Sequence, residues 1–138
     1  MKKPYLSIII PAYNSWDTVT GLLASLKKSS FNNFEVIIGD DGSHTEKPPE
    51  LLQFLKKVQI IRLPINRGPA AARNAAARKA KGTVLVFLDS DVTTYPDTLA
   101  KIAKKFHDDI DLTALTGVWD KHQKTRAFFP QFKALRDW

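Results

Sequence analysis

The sequence contains no cysteine. Disulfides, thiolate metal sites and cysteine nucleophiles are therefore excluded, and the composition suits a reducing compartment. Nor is there any run near the ~18 apolar residues that a membrane span requires. The apolar stretch near the start, Leu6 to Ile10, is too short for a signal sequence and runs into Pro11 and Asn14 with no small-residue cleavage site. The expectation is a soluble, cytoplasmic chain, with the cytoplasmic face of the membrane as an alternative location. Internal repeats, low-complexity tracts and linkers are absent as well. The common phosphate-binding loops are missing: Lys81-Gly82-Thr83 runs in the wrong order for a P-loop, and no G-x-G-x-x-G occurs.

What is present suits one globular domain. The chain has 138 residues, 43% hydrophobic and 25% charged, enough to bury a workable core. Its formal net charge is +7, from 21 Lys and Arg against 14 Asp and Glu. Such a balance attracts polyanions. No compact basic block with interleaved aromatics and no nucleic-acid motif is found, so nucleic acid is set aside. A solvated basic surface, a phosphate-bearing ligand and an anionic membrane surface remain open.

Apolar, β-branched runs alternate with helical patterns. Tyr5 to Ile10 reads as a buried strand ended by Pro11. Residues 15–29 place Trp16, Val19, Leu22, Leu23 and Leu26 on one helical face, with Ser15 as N-cap. A second strand, Phe34 to Gly39, closes on Asp40-Asp41-Gly42-Ser43. Pro48 and Pro49 sit where a helix starts, with Leu51, Leu52 and Leu55 as its apolar face. Residues 58–63 read as a third strand, residues 70–81 as an alanine-rich helix stopped by Gly82, and residues 84–88 as a fourth strand ending at Asp89-Ser90-Asp91. A helix over residues 96–106 and a fifth strand over residues 112–118 complete the pattern. This order predicts an α/β fold: an open, mostly parallel sheet with helices on both faces. Ligands of such sheets bind outside the carboxyl ends of the strands, where the strand order reverses. Ala12-Tyr13-Asn14, Asp40 to Ser43 and Asp89-Ser90-Asp91 all fall on that edge. Residues 1–118 are thus expected to form a binding domain. Residues 119–138 look like the start of a further, incomplete segment.

The acidic pair is chemically suggestive. Carboxylates two residues apart after a buried strand can hold a hard divalent cation, Mg²⁺ or Mn²⁺, that bridges to substrate phosphates. Aspartates that merely cap a turn give the same pattern.

Four segments in order resemble family 2 of the glycosyltransferases, the inverting enzymes with a GT-A (Rossmann-like) fold. These are Ser7 to Asn14, Val36 to Ser43, Asn66-Arg67-Gly68-Pro69-Ala70-Ala71-Ala72-Arg73-Asn74, and Gly82 to Asp91; Tyr95-Pro96-Asp97-Thr98-Leu99 also fits. The resemblance implies an N-terminal nucleotide-sugar-binding half. Pro11, Ala12 and Tyr13 would line a base pocket, and Asp41 would accept a hydrogen bond from the base, usually uracil. Arg73 would reach the base or the diphosphate, Asp89 the ribose hydroxyls, and Asp91 would ligate Mg²⁺ or Mn²⁺. Asp40 would support the turn. The implied partner is a nucleoside-diphosphate sugar, UDP-linked in preference to GDP or dTDP, and the acceptor is an unnamed hydroxyl of a glycan, lipid or polyprenyl phosphate. Peripheral membrane association is compatible with it.

The chain departs from the family pattern at its end. An inverting transfer needs a base for the acceptor proton, and the family carries it well after the metal motif. No matching acidic motif follows Asp91, so no catalytic residue is expected in this chain; the base is expected beyond Trp138. The expectation is a fragment that binds donor without turnover. Val92 stands where the family often has a polar residue. Two other readings remain: a non-catalytic module for nucleotides or membrane surfaces, and a haloacid-dehalogenase-like phosphatase. The latter family normally has its acidic pair on the first strand. A nucleotide-sugar-forming nucleotidyltransferase lacks support, because no glycine-rich basic loop follows Ile10.

Overall fold

A computed structural model describes residues 3–54 and 58–117. The chain divides into two units, residues 1–108 and 109–138. In the first unit the elements run β1 (Leu6–Ala12), α1 (Trp16–Leu26), β2 (Phe34–Asp40), α2 (Pro49–Leu52), β3 (Val58–Arg62), α3 (Pro69–Ala77), β4 (Val84–Phe87) and α4 (Thr98–Asp108). The strands form one four-stranded sheet in the order β3-β2-β1-β4, and every pairing is parallel. The α/β expectation holds.

Alternation along β1 sorts the core into two layers. Ile8, Ile10 and Ala12 join Trp16, Val19, Leu22, Leu23 and Leu26 of α1, Leu51 of α2, and Leu99 and Ala103 of α4. Ile9 and Ile37 point the other way, onto Ala76 of α3. Helices therefore cover both faces. This explains why β1 is apolar on both faces apart from Ser7, and buried at every position. Each such side chain contributes roughly 1.5–3 kcal/mol of burial free energy.

Pro11 does not end β1, which continues through Ala12 opposite Asp40. The reason is register. The Ile9 carbonyl accepts from Leu88 on the β4 side, whereas the Ala12 carbonyl accepts from Asp41 on the β2 side. Pro11 thus faces the β4 side, and β4 pairs with β1 only as far as Ile9. No ladder bond is lost to its missing N–H.

Other boundaries also shift. Ser15 precedes α1 but makes no side-chain capping bond; its Oγ is buried without a hydrogen-bond partner among the described residues. α3 ends at Ala77, short of Gly82, because Lys79 and Ala80 donate to the carbonyls of Ala76 and Ala77 and tighten the last turn. Gly82 has a different use: a Cβ there would lie 2.6 Å from Ser7 Oγ, which accepts the Gly82 N–H at 2.8 Å and itself donates to Glu35. α2 is a single turn with Leu51 fully buried, and Leu55 lies outside the described residues. α4 starts at Thr98, two residues later than expected.

In the second unit, residues 112–117 form no strand. The expected fifth strand is corrected on this point. Its run is interrupted by Ala114 and Gly117, it finds no ladder partner among the described residues, and an unpaired strand leaves its backbone groups without hydrogen bonds. Val118, the segment from residue 119, and the expected domain limit between them lie outside the described residues.

Candidate functional site

The strand order places a reversal between β1 and β4. From β1 the chain steps outward to β2 and β3, then returns to add β4 on the opposite side of β1. The carboxyl ends of β1, β2 and β4, with the start of α3, enclose a cleft of about 580 Å³. Pro11, Ala12 and Tyr13 line it from β1, Asp41 from β2, Arg73 from α3, and Asp89 and Asp91 from the loop after β4. All the residues expected to contact nucleotide or metal therefore border a single cavity. Asn66, Gly68 and Ser90 border it too. They belong to the quoted segments but were given no role.

Each wall has a local cause. Asp40 is fully buried; its Oδ1 accepts the Ser43 N–H at 2.9 Å, and Arg62 lies 3.6 Å from its other oxygen. Asp40 thus supports the turn after β2. Asp41, 2% exposed, turns toward α3. Its Oδ1 and Oδ2 accept the N–H groups of Arg67 and Gly68, each at 2.8 Å. Successive backbone amides make an anion-binding nest, and here the chain's own carboxylate fills it. Each oxygen keeps lone-pair capacity beyond one bond.

Asn14 is a hub that sequence reasoning missed. Its φ is +50°, and its Oδ1 accepts the N–H groups of His44 and Thr45 while its own N–H donates to Ser43 Oγ at 2.9 Å. These bonds lock the loops after β1 and β2 together beside Tyr13, which is 43% exposed on the cleft. Asn after a strand was the one available signal, since Asn tolerates this backbone region.

The β4 wall is acidic and open. Asp89 and Asp91 are both exposed. Arg73 Nη2 donates to Asp89 Oδ1 at 2.5 Å, linking α3 to the tip of β4. Asp91 makes no hydrogen bond or ion pair among the described residues. The loop beyond is anchored to α1: the Thr94 N–H donates to Ser25 Oγ at 3.1 Å, and the Ser30 N–H donates to the Pro96 carbonyl.

The donor set suits a hard divalent cation. It offers two carboxylates, of which Asp91 has no partner among the described residues. Among the described residues no group of three or more acidic, His or Cys side chains gathers into a cage. A cation held there would have to complete its shell with ligand phosphates and water, as Mg²⁺ commonly does.

The model for glycosyl transferase family 2 matches residues 7–134. The chain belongs to that family. A Haemophilus influenzae uncharacterized glycosyltransferase is 40% identical over 105 residues, covering 73% of this chain and 42% of that protein. The Escherichia coli UDP-Glc:α-D-GlcNAc-diphosphoundecaprenol β-1,3-glucosyltransferase WfaP is 39% identical over 107 residues, covering 74% and 40%. Among solved structures, Staphylococcus aureus TarS 1–349 in complex with UDP superposes with a TM-score of 0.70 at 32% identity, over 75% of this chain and 32% of that one. TarS has also been solved with UDP-GlcNAc. The chain thus spans about two fifths of the length of these curated relatives. The sheet and its helices are the N-terminal part of a family 2, GT-A-type fold. No helix among the described residues is long and apolar enough to cross a membrane.

Proposed function

We propose that this chain binds a UDP-linked sugar in the cleft and forms the donor half of an inverting sugar transfer. The observation that carries the reading is the meeting of three strand tips in one cavity: an aromatic rim at Tyr13, a buried acid at Asp41 and an open acidic pair at Asp89 and Asp91. The UDP complex of TarS and the UDP-glucose specificity in the name of WfaP support uridine as the base.

Pro11, Ala12 and Tyr13 flank the base in this reading. Asp41 accepts from the base imide with the lone pairs that its loop amides leave free. Arg73 lies between base and diphosphate. Its planar, permanent charge suits either. Asp89 takes a ribose hydroxyl, and Asp91 ligates Mg²⁺ or Mn²⁺ against the diphosphate. When bound, the cation acts as a Lewis acid that offsets charge on the departing diphosphate. The protein's own contribution is to hold base, ribose and phosphates in register and to leave Asp91 free of partners among the described residues.

The acids of the cleft are all committed: Asp41 to the loop amides and the base, Asp89 to Arg73 and the ribose, Asp91 to the cation. None is left to take a proton from an acceptor hydroxyl, so the base lies outside this set.

A thermal-shift panel of UDP, GDP, dTDP and their sugars, with and without Mn²⁺, tests this. UDP and UDP-sugars with Mn²⁺ are expected to give the largest stabilisation, because ligands that bind only the folded state raise its apparent stability. No shift with any nucleotide overturns the reading.

A further inference from the structure

The geometry points to Arg73 as a positioning residue that makes cation capture wait for the nucleotide. The inference rests on the donor-binding reading and adds an order of events to it.

Two exposed carboxylates two residues apart, such as Asp89 and Asp91, can attract a divalent cation without any nucleotide. Arg73 changes this. Its guanidinium sits 2.5 Å from Asp89 Oδ1, and its side chain is 33% exposed against 57% for Asp89, so the arginine is the more firmly seated partner. A cation approaching the free protein meets one carboxylate, Asp91, that has no partner among the described residues. The second carboxylate is already neutralised, and a fixed positive charge stands beside it. No third acid or histidine is gathered there among the described residues.

A diphosphate alters the balance. Its oxygens give the guanidinium a second anion to bond, which releases Asp89 in part, and they give the cation the ligands the protein lacks. The arginine is therefore expected to oppose the binary cation complex and to favour the ternary one. An isolated surface ion pair is commonly worth little. This one differs in place: it joins α3 to the tip of β4 on the wall of the cleft, and both partners line it.

The test measures Mn²⁺ binding by the paramagnetic resonance of free Mn²⁺, first with no nucleotide. In wild type the binary complex is expected to be weak. Arg73→Gln should bind Mn²⁺ alone about fivefold tighter, the scale set by removing one exposed charge pair. It should also bind UDP without metal more weakly than wild type does. Arg73→Lys keeps the charge and should stay near wild type. Adding Asp91→Asn to Arg73→Gln should abolish the gain. The position is on the surface, so an unchanged melting temperature of each variant verifies the fold. Equal Mn²⁺ affinity in wild type and Arg73→Gln overturns the inference. So does an Arg73→Lys protein that binds Mn²⁺ as tightly as Arg73→Gln. Failure of the donor reading has a separate signature: wild type given Mn²⁺ and UDP together forms no ternary complex.

Discussion

Asp41 Oδ2 accepts the N–H of Gly68 at 2.8 Å, so the tip of β2 is bonded to the residue that precedes α3. With the matching bond from Arg67, this tie sets one wall of the cleft before any ligand arrives. Asp41 is therefore structural and cleft-lining at once.

Asp41→Ala should loosen that wall and weaken uridine nucleotides whether or not metal is present. Hydrogen bonds to a charged group contribute about 1.5–3 kcal/mol each, so the loss of both is expected to cost about 3–6 kcal/mol of stability. Amide exchange measured without ligand should rise at Arg67 and Gly68. Unchanged exchange there would show that the carboxylate does not hold the loop.

Close packing of α3 on the sheet yields a second prediction. A Cβ at Gly39 would lie 2.2 Å from the Ala72 carbonyl oxygen, backbone that cannot rotate away. Gly39→Ala should cost about 1–3 kcal/mol by overpacking and displace the helix that carries Arg73. Gly21→Ala is the control: nothing lies within 4 Å of that Cβ, and replacing a helical glycine should stabilise by about 0.5–1 kcal/mol. Denaturant unfolding of both variants checks the contrast, and similar midpoints would contradict it.

Much of this is legible in the sequence. Apolar strands alternating with helices gave the parallel sheet, because a strand buried on both faces leaves a continuous apolar run such as Ile8-Ile9-Ile10. Polar strand ends gave the edge where a ligand site should lie. Register was not legible. Whether Pro11 breaks a strand depends on which neighbour it faces and how far that neighbour extends, and neither is a local property. The Asp41 tie to Gly68 spans 27 residues, and the Ser25 tie to Thr94 spans 69. Such bonds follow from the assembled sheet. The fifth strand over residues 112–118 failed for a related reason. Residues with strand propensity need a partner, and residues 112–117 pair with nothing among the described residues.

The Ser25–Thr94 tie predicts an effect at a distance. Ser25 Oγ accepts the Thr94 N–H and lies 3.0 Å from Thr94 Oγ1. Ser25→Ala should cost about 1–3 kcal/mol by leaving a donor unsatisfied. It should also loosen the loop after Asp91, weakening UDP in the presence of Mn²⁺ more than UDP alone. Equal weakening in both conditions would place the loop outside the cation site.

The most direct test of the central claim, that the acids at the tip of β4 serve a nucleotide–cation complex, is calorimetric titration of UDP into wild type and Asp91→Asn, each with and without Mn²⁺. The expected result is tighter UDP binding with Mn²⁺ in wild type, by about tenfold or about 1.4 kcal/mol. Asp91→Asn should bind UDP with one affinity in both conditions. Wild-type affinity that is indifferent to Mn²⁺, or a full Mn²⁺ response retained in Asp91→Asn, would contradict the account.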